Sequence, residues 1–283
     1  MKNSLFSMAV ILSMTLLFSC NRDEEVVFEE DDDAISAEVL SQIKMLGFGE
    51  RTVERVEGSF IAPSGYLVEG DIFISDEELN KEVAAQFLRV GDEEQYRTFN
   101  LVNTGSGVRT LTVATFKGNA TQGMPNSFDT PVNIAIDRFN AENLRLRFQR
   151  IASSSWQSAD IVLYRESGNF LAAAGFPSGG NPNRFIRMNT SAMGSFTTNA
   201  RATVIAHEMG HCIGFRHTDL FDRSFSCGGF PVNEEDPPSG VGAVLIPGTP
   251  AGPDPSSWML ACAGSSTNRP FSANDRIALD FLY

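Results

Sequence analysis

All three histidines of this 283-residue chain fall within eleven residues, at His207, His211 and His217. That crowding restricts the local fold more than any other feature. Side chains four apart stand one turn apart on the same helix face, so the imidazoles of His207 and His211 can converge on one point. Gly214, three residues past His211, suits a left-handed turn at a helix C-terminus. The chain can then reverse and return His217 to the same point. Three neutral nitrogen ligands suit Zn²⁺ and leave a fourth position for water, the pattern of a catalytic site. Glu208, beside the first histidine, can lie next to that water as general base without binding the metal. An ordinary helix with two surface histidines is the bland alternative, but it gives no reason for every histidine to gather in one segment.

The segment His207-Glu208-Met209-Gly210-His211-Cys212-Ile213-Gly214-Phe215-Arg216-His217 resembles the H-E-x-x-H-x-x-G-x-x-H signature of the metzincin zinc peptidases. More narrowly, it resembles that of the bacterial dual-action HEIGH metallopeptidases. The resemblance covers about residues 105–283. It implies a zinc endopeptidase with His207, His211 and His217 on the metal and Glu208 moving the proton during peptide hydrolysis. It also implies a methionine turn under the metal, for which Met259 in Ser257-Trp258-Met259-Leu260 is the candidate. Astacins and serralysins, within that group, carry a tyrosine two residues beyond the turn methionine. Here that position is Ala261, so its contribution is absent or supplied otherwise. Metzincin substrates lie extended along an edge strand, and the strand around Phe170–Ala174 is the candidate here, an internal strand being the alternative. The closing helix resembles the end of such catalytic domains and implies that no further domain follows.

The N-terminal third has a different character. Residues 21–100 carry 21 acidic against 7 basic side chains, whereas residues 101–283 carry 14 of each. The acidity therefore says nothing about a substrate of the second part. No basic patch or nucleic-acid motif is present, which argues against a nucleic-acid partner. Lys2 and the apolar run Leu5 to Phe18 read as a signal peptide, too short to span a bilayer. Leu17-Phe18-Ser19-Cys20 resembles a bacterial lipobox, with acylation at Cys20. It implies an exported lipoprotein of the outer membrane or cell surface, anchored to the membrane by lipid. Export permits disulfides. Of the remaining Cys212, Cys227 and Cys262, one pair and one free thiol are expected, and the spacing does not choose between pairings.

Residues 20–34 form an acidic tether after a 1–19 signal peptide. Residues 35–104 form a small pro-like region and residues 105–283 the catalytic domain, with the boundary placed in the polar stretch Thr98 to Gly107. Within the pro-like region, Ile35 to Leu46 reads as a helix. Thr52–Ile61 and Tyr66–Ile74 read as strands, and Ser75 to Val90 as a helix with a Ser75/Glu78 capping box. Val68-Glu69-Gly70-Asp71 resembles the aspartate switch of astacin pro-segments, with Val68 where Phe is usual. Asp71 is thus a candidate latency ligand for the metal's open position, a tight turn being the alternative.

In the catalytic part, strands are expected at Val108–Phe116, Leu144–Ile151, Ala159–Tyr164, Phe170–Phe176 and Arg184–Asn189. Helices are expected at Ser127–Asn140, Asn199–Gly214 and from Ser272 to Leu282. The pattern predicts a metzincin-like α/β (α+β) fold with a twisted, mostly parallel sheet backed by helices. Ca²⁺ is a conceivable second cofactor, through Asp222, Glu234, Glu235, Asp236 and Asp254, but a solvated loop explains those residues as well. A non-catalytic surface lipoprotein stabilised by zinc is the competing function; the intact Glu208 argues against it.

Overall fold

The computed structural model describes residues 35–49, 52–80, 95–234, 243–249 and 252–283. The leader, Cys20 and the acidic tether lie outside these, as do Glu235 and Asp236 and most of the expected helix after Ser75.

Ten strands and six α-helices are described. The strands are β1 (Glu54–Val56), β2 (Gly65–Val68), β3 (Ile72–Ser75), β4 (Tyr96–Arg97), β5 (Arg109–Thr115), β6 (Leu146–Arg150), β7 (Ile161–Arg165), β8 (Ala172–Ala174), β9 (Phe185–Met188) and β10 (Val244–Leu245). The helices are α1 (Ala37–Met45), α2 (Asp76–Leu79), α3 (Asp129–Ala141), α4 (Thr198–Ile213), α5 (Ser224–Cys227) and α6 (Ala273–Leu282). Eight strands form one sheet in the order β1-β2-β3-β8-β9-β7-β5-β6, and β4 pairs with β10 separately. Pairs β5–β6, β5–β7, β7–β9 and β3–β8 are parallel, while β8 runs antiparallel to β9. This is the expected mostly parallel sheet backed by helices.

Helices α3 and α4 cover one face. Val132, Ile136 and Phe139 of α3 and Val204, Ile205 and Met209 of α4 share a core with Leu111, Val113, Ile161, Leu163 and Ile186 of the strands. The opposite face buries Ala114, Phe116, Val162 and Tyr164 under Ile61, Ala62 and Trp156. Caps fix the helix ends. The hydroxyl of Thr197 accepts from Ala200 N at the start of α4, and Ser272 and Asp275 form a capping box at α6. Ser75 and Glu78 form another at α2.

Two expectations need correction. The continuous strand Tyr66–Ile74 is a hairpin, β2–β3, because Glu69 (φ 54°) and Gly70 (φ 88°) both turn left-handed at its tip. The register leaves Glu69, Gly70 and Asp71 in the turn, a three-residue hairpin loop with left-handed residues. The edge strand expected around Phe170–Ala174 is internal. β3 covers it, with Ile72 paired to Ala174 and Ala174 N donating to the Asp71 carbonyl at 2.9 Å.

Candidate active site

Helix α4 presents His207 and His211, and its C-cap Gly214 adopts φ 113°. A Cβ there would meet Leu101 Cδ2 at 2.7 Å and the Asn100 carbonyl at 3.0 Å, so the turn is both left-handed and tightly covered. Past it, the loop is held by Thr98 N donating to the Gly214 carbonyl and Arg216 N donating to the Tyr96 carbonyl. His217 returns to the other two rings, with centroids 5.2 Å from His207 and 4.9 Å from His211.

Each imidazole is oriented through Nδ1. His207 Nδ1 donates to the Trp258 carbonyl at 3.1 Å, His211 Nδ1 to the Phe215 carbonyl at 2.8 Å, and His217 Nδ1 to the Glu234 carboxylate at 2.9 Å. A proton fixed on Nδ1 leaves the Nε2 lone pair free for a metal. His207 Nε2 and His211 Nε2 are buried with no hydrogen-bond partner, and so is Asp71 Oδ1. Ligand atoms of Asp71, His207, His211 and His217 all lie within 4.8 Å of one another. Unpartnered buried nitrogens are rare and costly, and four converging N and O donors match the chemistry of a tetrahedral Zn²⁺ site. The residues present therefore fit the metal.

Met259 lies fully buried beneath α4, its Sδ 2.5 Å from where a Cβ on Gly210 would stand. Its carbonyl accepts from Thr218 N, so the turn braces both ends of the histidine motif. Asp275, at the N-terminus of α6, locks that turn by accepting from the Ser257 hydroxyl and Trp258 N. Ala261 occupies the position of the missing tyrosine, with its N–H donating to Asp219.

The carboxylates at the site have distinct environments. Burial pushes Glu208 well above the usual carboxylate range, and Asp71 adds to the rise. Its Oε2 is buried without a partner. Burial would raise Asp71 as well, but His217 and the other imidazoles outweigh it and hold the group well below that range. Burial and the neighbouring rings keep His211 neutral, the form a metal needs.

Asp71 comes to the histidines on the tip of the β2–β3 hairpin, its Oδ2 3.1 Å from His217 Nε2 and 3.5 Å from His207 Nε2. The turn that the sequence offered as the alternative reading is present, and it carries Asp71 to the histidines. The preceding Glu69 is buried and paired with Arg216 of the motif at 2.9 Å. Arg223 donates to the Glu69 carbonyl and pairs with Glu234 at 3.2 Å.

Glu234, Arg216 and Arg223 complete the site without a spacing signal. Glu234 stands among the loop carboxylates considered for calcium, and it faces His217 instead. Asp222 accepts from Ser224, and Asp254 from Ser256, Ser272 and Asn274. Among the described residues, neither joins a cluster able to share an ion. Cys227 and Cys262 form the disulfide, and Cys212 is free and buried within α4.

A helix carrying two histidines, a reversed loop carrying a third and a buried carboxylate beside them define a metallopeptidase type of centre. The comparisons agree: the family model for dual-action HEIGH metallopeptidases matches residues 66–283. The chain belongs to that family and is a metallopeptidase acting on peptides or proteins. The chain also aligns with a solved structure of myroilysin, at 15% identity and a TM-score of 0.38, over 63% of this chain and 95% of that one. No curated protein matches the chain.

Proposed function

We propose that the chain is a zinc endopeptidase of the metzincin type, made latent by its own N-terminal hairpin and exported as a surface lipoprotein. His207, His211 and His217 hold the zinc through Nε2, and Met259 forms the floor beneath. The observation that carries the reading is the convergence of three Nδ1-anchored imidazoles, with His207 Nε2 and His211 Nε2 buried and unpartnered and His217 Nε2 facing only Asp71. A zinc ion bound there supplies Lewis-acid polarisation of a water and of the substrate carbonyl.

Glu208 is the general base. Its unpartnered, buried Oε2 takes the proton of the attacking water and gives it to the leaving amine. Burial raises its affinity for a proton, which suits a base that must take one from water and then pass it on. Ala174 N, which now donates to Asp71, offers the same bond to an extended substrate once β3 withdraws. Asp71 fills the position a water would need, and Glu69 and Arg223 hold it there.

Activation then requires a cut that releases β1–β3. Tyr96 and Thr98 hold the third-histidine loop by hydrogen bonds, so the cut belongs between Ser75 and Gln95. The mature enzyme keeps the segment from Gln95 onward.

The test is a Glu208→Gln chain assayed on a peptide library beside its parent, both with Asp71→Ala to expose the site. Hydrolysis should fall by roughly 10²–10⁴-fold while zinc content stays at one equivalent. Retained hydrolysis rejects Glu208 as base. Zinc bound with no chelator-sensitive hydrolysis in any form favours the non-catalytic lipoprotein.

A further inference from the structure

A cavity of about 270 Å³ opens beside His207 and Glu208. Thr203 and Val204 of α4 form one wall, and Leu260 to Ala263 form the wall that follows the methionine turn. That size suits a single side chain rather than a folded partner. Its walls are rigid: Cys262 is tied to Cys227, its N–H donates to the Ser226 hydroxyl, and Ala261 N donates to Asp219.

Two guanidinium groups line this cavity. Arg223 is already compensated by Glu234. Arg269 is not. Its backbone N donates to the Thr203 hydroxyl at 3.0 Å and its Nη1 to the Cys262 carbonyl at 2.8 Å, which fixes the side chain. No carboxylate pairs with it among the described residues, although it is only partly exposed. Asp71 and Glu208 are the only acids among the lining residues. Asp71 leaves with the hairpin, and Glu208 is committed to the proton.

From this we infer that the cavity is a specificity pocket for a carboxylate side chain, with Arg269 the residue that reads it. The inference rests on the peptidase reading above and deepens it. Because the pocket borders Glu208 and His207, the residue it takes is the one adjoining the scissile bond. A half-buried guanidinium with spare donors binds a carboxylate by charge-assisted hydrogen bonds in a planar fork. Aspartate or glutamate of an internal peptide position supplies that group; a free peptide C-terminus would supply the same chemistry.

The experiment uses full-length protein, both parent and Asp71→Ala, and the same protein cut between Ser75 and Gln95, so that it does not depend on latency. C-terminally amidated peptides carry Glu, Gln, Ala or Lys next to the cut, and a matched set has free C-termini. Each is digested by the chain with Arg269, Arg269→Gln or Arg269→Glu. The Glu-to-Gln ratio of kcat/KM should favour Glu by roughly 10- to 100-fold and collapse toward unity in Arg269→Gln. Arg269→Glu should shift preference to the Lys peptide. Melting temperature and zinc content show that each variant is folded and loaded. Cleavage with no acidic preference in the parent overturns the inference and leaves the peptidase reading intact. So does a preference that Arg269→Glu does not invert. Dependence on a free C-terminus in place of the side chain overturns it too. No cleavage of any peptide by the parent, by Asp71→Ala or by the protein cut between Ser75 and Gln95 rejects both readings together.

Discussion

Each imidazole at the site depends on one acceptor that determines which nitrogen faces the metal. For His207 and His211 that acceptor is a backbone carbonyl, beyond the reach of side-chain substitution. For His217 it is Glu234, a fully buried carboxylate also shared with Arg223. Burial alone would depress the His217 pKa; Asp71 and Glu234 reverse that. Glu234→Gln keeps an acceptor oxygen but removes the charge, whereas Glu234→Ala removes both. Zinc affinity should fall roughly 10–100-fold in the alanine variant and less in the glutamine one, measured by competition with a chromophoric chelator. Equal affinity in all three chains would reduce Glu234 to a packing residue. At this scale the sequence was informative for the convergence of the histidines and uninformative for their partners. The spacing of the histidines and Gly214 announces a helix face and a turn, because both obey local geometry. Glu234 stands seventeen residues beyond His217 in a segment with no periodicity. Only the tertiary path of the loop makes it a partner, and the same holds for Arg223.

Among the elements, the methionine turn and α6 act as one brace. Asp254 links them: its carboxylate accepts from Ser256 in the turn and from Ser272 and Asn274 at the start of α6. Burial would raise its pKa, but these donors outweigh burial and hold it below the usual value. A depressed carboxylate contributes stability above its unfolded pKa of about 3.9, and that contribution vanishes as pH falls through the folded value. Asp254→Asn should therefore melt several degrees below the parent at neutral pH, about 1–2 kcal/mol less stable. The two should converge in strongly acidic buffer. A gap that persists there would mean that shape, rather than charge, carries the link. Gly214 offers a second element-scale expectation. Gly214→Val forces a β-branched residue into left-handed backbone against Leu101 and Asn100. Loss of roughly 2 kcal/mol or more should be joined by weaker zinc binding, since the turn delivers His217. Calorimetry with zinc titration reads both. The helices and most strands were legible because caps and apolar periodicity are local signals, as at Ser75 and Ser272. The β2–β3 hairpin was hidden because Glu69, a non-glycine residue, takes a left-handed conformation that its buried pairing with Arg216 enforces.

On the scale of the whole molecule, the N-terminal region and the catalytic machinery share one sheet. β3 takes the open side of β8, its hairpin tip places Asp71 against His207 and His217, and Arg187 of β9 donates to the Pro63 carbonyl and lies over the Phe73 ring at 3.3 Å. On the proposed reading one continuous segment displaces both substrate strand and metal water, so latency would have two separable parts. Asp71→Ala removes only the carboxylate. It should raise activity without a cut, leave zinc content unchanged because three histidines remain, and still leave β8 covered. Cutting between Ser75 and Gln95 should release both blocks and give a further rise. The expected order of hydrolysis rates is therefore parent, then Asp71→Ala, then the cleaved protein. Glu69→Ala should behave like a partial release, because it removes the Arg216 pair that seats the tip, and it should also lower the concentration of protease needed for activation. Rates on one fluorogenic peptide, with zinc measured in each sample, decide the matter. A parent as active as the cleaved protein would show that the hairpin does not inhibit. An Asp71→Ala chain as inactive as its parent, with cleavage alone activating, would assign latency to the covered strand and leave Asp71 no part in it.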